Sequence, residues 1–178
     1  MTVLETDRLL LRPPVPEDAE ALAPMYADPE VMRYLGDGRT LEREETERSV
    51  RRMIEAWKAD GFGLFTTVRK EDDAVVGRVG LIVWNPETWQ TTRADADGPT
   101  ELEVGYTLGR PFWGQGYATE AAASARDFAV GQLGASRLIA LIIYGNDASE
   151  NVARKLGFEY ERDILFGRRD AQLFGFLA

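Results

Sequence analysis

A pair of glycines between a strand and a helix is the feature of this sequence best suited to chemistry. Residues 101–108 alternate between apolar and polar positions, as a strand does, and Pro111 ends that strand. Gly114 and Gly116 then allow the backbone to turn sharply and to approach another molecule closely. The small-residue helix that follows directs its free N–H groups and the positive end of its dipole at the turn. This arrangement is typical of anion sites, and a pyrophosphate suits it best.

The rest of the sequence restricts the chemistry further. No Lys-Ser or Lys-Thr pair follows Gly116, so the turn is not a P-loop, and the three-glycine fingerprint of dinucleotide-binding domains is absent. The chain has no histidine and no cysteine, which excludes a histidine-based triad, an imidazole metal site and a thiol nucleophile. The acidic residues show no metal-loop spacing, so we expect no metal. Carboxylates, hydroxyls, amides and backbone N–H groups remain, and direct acyl transfer from a bound thioester requires only these.

The glycine turn lies in a nine-residue run that resembles a known family. Residues 113–121, WGQGYATEA, resemble the W-G-x-G-Y-A-T-E-A coenzyme A loop of the Rim-type branch of the GNAT superfamily of N-acetyltransferases. That branch includes the ribosomal-protein N-terminal acetyltransferases. Residues 4–12, LETDRLLLR, followed by Pro16-Glu17-Asp18, are similar to the family's opening T-x-R-L-x-L-R … P-E-D-A. The resemblance covers nearly the whole chain, is weakest at 85–100, and implies the GNAT fold with acetyl-coenzyme A as co-substrate.

A second motif follows at the spacing that the family shows. Asn146 and Ser149 precede Lys155-Leu156-Gly157-Phe158, which resembles the Rim-type N-x-x-S … K-x-G-F helix. From the residues alone, this is a short helix with Asn146 or Asp147 as its N-cap and Gly157 as its stop, and capping would explain every polar residue. The resemblance implies in addition that Asn146 and Ser149 lie beside the pantetheine arm and the thioester.

The resemblance therefore implies one set of coenzyme-binding residues, drawn from the strand, the glycine turn and the second motif. These are Tyr106, Thr107, Leu108, Trp113, Gly114, Gln115, Gly116, Tyr117, Ala118, Thr119, Asn146 and Ser149.

The best candidate for a catalytic base is Glu103, on the strand that leads into the glycine turn. The resemblance implies this role, because a glutamate at this point of the strand recurs as the base in the superfamily. An unperturbed glutamate is a poor match for an amine, so Glu103 would need burial to raise its pKa, or would act through water. Glu101, on the same strand face, is the second candidate. The alternative for both is a carboxylate on the solvated face of a half-buried strand.

The leaving group of the implied reaction is a thiolate, which needs a hydrogen-bond donor. Many superfamily members place a tyrosine four residues before the glycine of the second motif, but here that position is Ala153. The Rim-type resemblance implies Ser149 as the substitute, and a hydroxyl should act mainly by donating a hydrogen bond. Tyr144 and Tyr117 are alternatives, although aromatic residues at strand ends and helix starts more often pack.

The acceptor is expected to be a primary amine, with the α-amine of a protein or peptide ranked first. An α-amine has a pKa of about 7.7–8.0 and a lysine one of about 10.4, so only the α-amine is appreciably neutral near neutral pH. Because no cysteine exists to carry an acetyl group, direct transfer in a ternary complex is expected. Two alternatives remain: a small-molecule amine acceptor, in a pocket built by Trp84, Trp89 and the loop 85–100, or a coenzyme-binding module without catalysis.

The periodicity of the sequence predicts a mixed α/β domain (α+β, with a mixed sheet) in the order βααβββαβαββ, which matches the GNAT order. The predicted elements are a strand over 2–12, helices over 17–27 and 41–59, strands over 62–69, 74–84 and 101–108, a helix over 115–133, a strand over 137–144, a helix over 147–156, and a hairpin of 158–166 and 171–177.

Composition favours one cytoplasmic domain spanning residues 1–178. No apolar run approaches the ~18 residues of a membrane span, and neither a signal peptide nor a disulfide is expected. The net charge of −9, from 21 basic and 30 acidic side chains, gives no general attraction to nucleic acid. The sequence leaves a monomer and a homodimer open.

Overall fold

A computed structural model describes residues 2–178, which form one mixed sheet of nine strands with five α-helices around it. The strands are β1 Leu4–Glu5, β2 Leu9–Arg12, β3 Leu64–Arg69, β4 Val75–Asn85, β5 Gln90–Thr91, β6 Glu101–Leu108, β7 Arg137–Ile143, β8 Glu159–Phe166 and β9 Arg169–Leu177. The helices are α1 Asp18–Tyr26, α2 Pro29–Met32, α3 Arg43–Asp60, α4 Tyr117–Gly131 and α5 Asp147–Lys155, and a 3₁₀ turn, Arg110–Phe112, follows β6.

Strand pairing in the sheet is least extensive at its centre, between β6 and β7. The strand order is β1-β2-β3-β4-β6-β7-β9-β8, with β5 paired to β4. Strands β6 and β7 are parallel and share a single registered pair, Glu103 with Ile139. Beyond that pair the two strands no longer register with each other, although each remains paired with its other neighbour, β4 or β9. An opening therefore lies between the C-terminal halves of β6 and β7.

The two faces of the sheet carry different helices. Ala121, Ala122, Ala125 and Ala129 of α4 are fully buried in one cluster with Val79 and Val104 of the sheet, and these small side chains let the helix lie close to the strands. Arg78 is the neighbour of Val79 in β4, so its side chain points to the opposite face. There it lies over the ring of Tyr26 in α1, within a second cluster formed by α1, α2 and α3.

The predicted mixed α/β fold is confirmed, and three details differ for local reasons. The predicted strand over 2–12 is broken at Thr6, whose backbone and hydroxyl both bond Leu9 O across a tight turn. A short extra helix, α2, begins at Pro29, because the Asp28 side chain accepts from Glu30 N at 3.0 Å and proline suits a first helical position. The predicted loop 85–100 contains β5, which extends the sheet along β4 where β3 has ended.

Candidate active site

One cavity of about 640 Å³ passes from α3 across β4, β6 and β7 to the start of α5. It brings together five of the residues named from the sequence, which belong to two motifs far apart in the chain. These are Glu103, Tyr106, Thr107, Asn146 and Ser149. The opening between β6 and β7 is what allows residues of the strand and of the distant helix to line the same space.

Glu103 lies at the point where β6 and β7 separate. The residue is only 7% exposed, so its carboxylate does not lie on a solvated face. Trp84 Nε1 donates to Glu103 Oε2 at 2.6 Å, and the backbone N–H of Leu141 donates to Glu103 Oε1 at 3.2 Å. The carboxylate thus accepts a backbone N–H that the separated strands leave without a ladder partner.

The electrostatics of Glu103 favour a group that binds a proton readily. Burial raises the pKa of Glu103, while the hydrogen bonds from Trp84 and Leu141 and the charge of Arg78 oppose that rise without cancelling it. A carboxylate with a raised pKa is a better proton acceptor near neutral pH than an exposed one. Glu101 has a different environment: it pairs with Arg137 at 3.2 Å and does not line the cavity.

Ser149 and Asn146 stand at the N-terminus of α5, on the far side of the opening. Asn146 is the N-cap, and its Oδ1 accepts from Ser149 N at 3.3 Å, so the capping interpretation of this residue is correct. The Tyr106 hydroxyl donates to Ser149 O at 2.7 Å. Burial, helped by the charge of Glu103, raises the pKa of Tyr106, which therefore remains a neutral phenol that joins β6 to α5. Ser149 itself lines the cavity.

The glycine turn forms a second feature, at the end of β6. Gly114 and Gly116 have positive φ values of 73° and 82°, which accounts for glycine at both positions. Within residues 2–178, none of the six backbone N–H groups from Gly114 to Thr119 donates to a protein acceptor. No side chain caps α4, whereas side chains cap α2, α3 and α5. The start of α4 is therefore open to an anion from outside the chain.

Arg8 reinforces this turn, which its position in the sequence did not indicate. Its Nη1 donates to Gln115 O at 2.9 Å, its Nη2 pairs with Glu120 at 2.6 Å, and its guanidinium lies 4.5 Å from the ring centre of Tyr117. Although burial acts to raise it, hydrogen bonds from Thr6 and Arg8 hold the pKa of Glu120 below its usual value. The T-x-R-L motif contains Arg8, but only the tertiary fold brings it to a helix more than 100 residues away.

Several alternatives from the sequence lie elsewhere. The Tyr117 side chain is buried in the core beneath Arg8, and the Tyr144 hydroxyl donates to Asp163 Oδ1 at 2.6 Å on the outer surface. Neither lines the cavity. Trp84 and residues 91–93 of the loop 85–100 do line it, whereas Trp89 does not. The structure also adds residues that the motifs did not reveal, above all Arg78, a lone charge within the apolar strand sequence VVGRVGLIV.

Residues 2–178 contain neither a cluster of metal-ligating side chains nor a membrane-spanning helix. No group of three or more histidine, cysteine, aspartate or glutamate side chains is arranged to hold a metal ion. None of the helices in this range combines the length and the apolar character needed to cross a membrane.

Comparison with known proteins identifies the family. The model of the acetyltransferase (GNAT) domain matches residues 8–159. The chain belongs to this family. The acetyltransferase is 29% identical over 163 residues to the uncharacterized N-acetyltransferase YoaA of Bacillus subtilis (strain 168), which covers 89% of this chain and 84% of YoaA. The predicted family and the predicted acyltransferase activity are thereby confirmed.

Two further relatives differ in the acceptor that their names state. The FsC-acetyl coenzyme A-N(2)-transacetylase of Aspergillus fumigatus is 30% identical to this acetyltransferase over 162 residues, covering 88% of this chain and 65% of that protein. The structure of RimL, a ribosomal L7/L12 alpha-N-protein acetyltransferase in complex with coenzyme A, matches with a TM-score of 0.78 and 16% identity, covering 99% of this chain and 98% of RimL. At that identity the match to RimL shows the shared fold.

Proposed function

We propose that this acetyltransferase transfers the acetyl group of acetyl-coenzyme A to a primary α-amine, directly and within a ternary complex. The observation that carries the proposal is that the buried Glu103 and Ser149 line the same cavity, beside the opening between β6 and β7. An opening that joins the two faces of the sheet would let a thioester from the α5 side meet an amine from the α3 side.

The open start of α4 fits the pyrophosphate of the coenzyme. Six free N–H groups and the positive end of a 15-residue helix favour a multivalent anion there. Residues 113–119 would hold the pyrophosphate, and Asn146 and Ser149 would lie along the pantetheine arm. When bound, acetyl-coenzyme A supplies the acetyl thioester.

Glu103 is the proposed base. The neutral amine attacks the acetyl carbon, and its nitrogen must lose one proton as the amide forms. The raised pKa of Glu103 suits it to accept that proton directly or through one water. The N–C bond forms as the C–S bond breaks, coenzyme A leaves as the thiolate, and the proton of the nitrogen goes to the carboxylate. Trp84 and Leu141 hold the two carboxylate oxygens while this happens.

Ser149 is the proposed donor to the leaving thiolate. Ser149 lines the cavity at the start of α5, and the hydrogen bond from Tyr106 ends on its backbone oxygen. A hydrogen bond from the Ser149 hydroxyl would stabilise the negative charge that develops on sulfur. Tyr106 would support it indirectly, by fixing α5 against β6.

The α-amine of a peptide or protein is the first choice of acceptor, because a buried carboxylate and a hydroxyl suffice for an amine that is partly neutral near pH 7. A small-molecule amine is the second candidate. The name of the Aspergillus fumigatus relative, which states an N(2) position of FsC, favours it.

A coupled assay that measures release of coenzyme A tests this function. A tetrapeptide with a free N-terminus, the same peptide with a blocked N-terminus and a lysine side-chain amine should be compared at saturating acetyl-coenzyme A. We expect turnover with the free N-terminus alone and intersecting initial-velocity lines, as a ternary complex requires. Parallel lines would contradict direct transfer, and activity confined to small amines would favour the second candidate.

A further inference from the structure

Arg78 is the most unusual charge in the cavity. Its Nε is buried without a hydrogen-bond partner, and no carboxylate of residues 2–178 lies within the 4.0 Å of an ion pair with it. A buried polar group without a partner is costly, and an unpaired guanidinium more so. Arg78 lines the cavity, and its guanidinium carbon lies 5.5 Å from the ring centre of Tyr26. The guanidinium is therefore held in place beside an open space.

The remaining charges of the cavity are already engaged or exposed. Glu103 accepts two hydrogen bonds, Asp60 accepts from Ala94 N at 3.1 Å, and Arg93 pairs with Asp95 at 3.1 Å. Arg52 and Glu55 lie on exposed positions of α3. Three arginines and three acidic residues line the cavity, so the cavity has no net charge, although the chain as a whole has a net charge of −9. Within this set, Arg78 combines an unpaired charge with a buried atom.

We propose that Arg78 binds a carboxylate of the acceptor, so that the preferred acceptor carries an anionic group besides its amine. This inference rests on the proposed function and specifies the substrate class of the same site. Guanidinium and carboxylate match in a two-bond fork, which gives strong and selective recognition.

The register of the sheet indicates how far that carboxylate lies from the amine. Arg78 is paired with Thr107, four residues beyond Glu103 on β6. At about 3.3–3.4 Å per residue, roughly 13 Å of strand separates the two backbone positions. A carboxylate several bonds from the amine spans such a site better than one on the same carbon. The side chain of an acidic second residue in a peptide meets this condition, as does a γ-amino acid, which belongs to the second, small-molecule class of acceptor.

Matched acceptors that differ in one charge test the inference. The peptides Ser-Glu-Ala-Ala amide and Ser-Gln-Ala-Ala amide differ only in the carboxylate, and γ-aminobutyrate and γ-aminobutyramide form the small-molecule pair. We expect the wild-type kcat/KM to favour the acidic member of one pair by about 10–100-fold, the range of a charge-assisted hydrogen bond. The pair that shows the preference identifies the source of the carboxylate.

The ratio within a pair separates recognition from structure. In Arg78→Met, which keeps an unbranched stem, we expect the ratio to fall to about one. A merely structural role, or an effect of Arg78 on the proton affinity of Glu103, would lower both rates equally and preserve the ratio. Arg52→Met is the control, because it removes another cavity arginine, and it should keep the preference.

Each outcome decides the question. No preference in the wild-type protein overturns the inference without any variant, as does a ratio that survives Arg78→Met or disappears in Arg52→Met. If Arg78→Met does not fold, Arg78→Lys replaces it: loss of the two-bond fork should then reduce the ratio while leaving it above one. If the enzyme releases no coenzyme A with any acceptor of either pair, the proposed function fails as well.

Discussion

Replacing Glu103 by glutamine is the most direct test of the candidate active site. The substitution keeps the size of the side chain and removes the proton acceptor. The glutamine oxygen can accept from Trp84 Nε1, but its amide group would face the N–H of Leu141, which then loses its partner. That loss costs about 1–3 kcal/mol, and removal of a buried charge offsets part of it, so the protein should remain folded.

The expected effect on turnover is much larger than the effect on stability. Loss of a general base lowers kcat by about 10²–10⁴-fold. Wild-type kcat at saturating acceptor should fall as pH decreases and Glu103 takes up a proton. Because burial raises the pKa of Glu103, this fall should occur at a higher pH than it would if the base were an exposed glutamate. In Glu103→Gln this limb disappears, and kcat rises with pH toward the pKa of the α-amine, about 7.7–8.0, since only the neutral amine then reacts.

Glu101→Gln provides the matched control for this experiment. Glu101 lies on the same strand face, but it pairs with Arg137 and does not line the cavity. It should keep kcat and its pH profile within a few-fold of the wild type. A Glu103→Gln variant with wild-type turnover would refute the base assignment, and so would an equal loss in Glu101→Gln.

Three further predictions concern the residues around Glu103 and the glycine turn. Gly116→Ala and the control Gly134→Ala place alanine at similar positive φ values, 82° and 69°, and each should cost about 1–2 kcal/mol of backbone strain. Calorimetry should show that only Gly116→Ala weakens coenzyme A binding, by about tenfold or more. Ser149→Ala should lower kcat by about 10–1000-fold with little change in coenzyme affinity, and full activity would exclude the hydroxyl as donor. Trp84→Phe removes a hydrogen bond that lowers the pKa of Glu103, so the acidic limb of kcat should move to higher pH; an unmoved limb would mean that another group titrates.

Much of the fold could be predicted because its elements are encoded by neighbouring residues. The alternation over 101–108 predicted β6 with its observed bounds, and the alanine stripe predicted a helix that lies close to the sheet. The predicted helix start differed by two residues, since Gln115 and Gly116 belong to the turn. Elements of two to four residues, such as β5 and α2, were not predicted, because so few residues establish no periodicity.

The motifs of this acetyltransferase determined the family, the glycine turn and the capped start of α5, since each depends on residues within about ten positions of one another. Only the tertiary structure decided the environment of Glu103. The sequence allowed a solvated carboxylate, whereas partners 19 and 38 residues away bury and hold it. The same reason applies to Arg8, which meets Glu120 across 112 residues, and to Arg78, whose lack of a partner is visible only when every neighbour is in place. A pKa depends on what surrounds a group in space, and sequence separation carries no information about that.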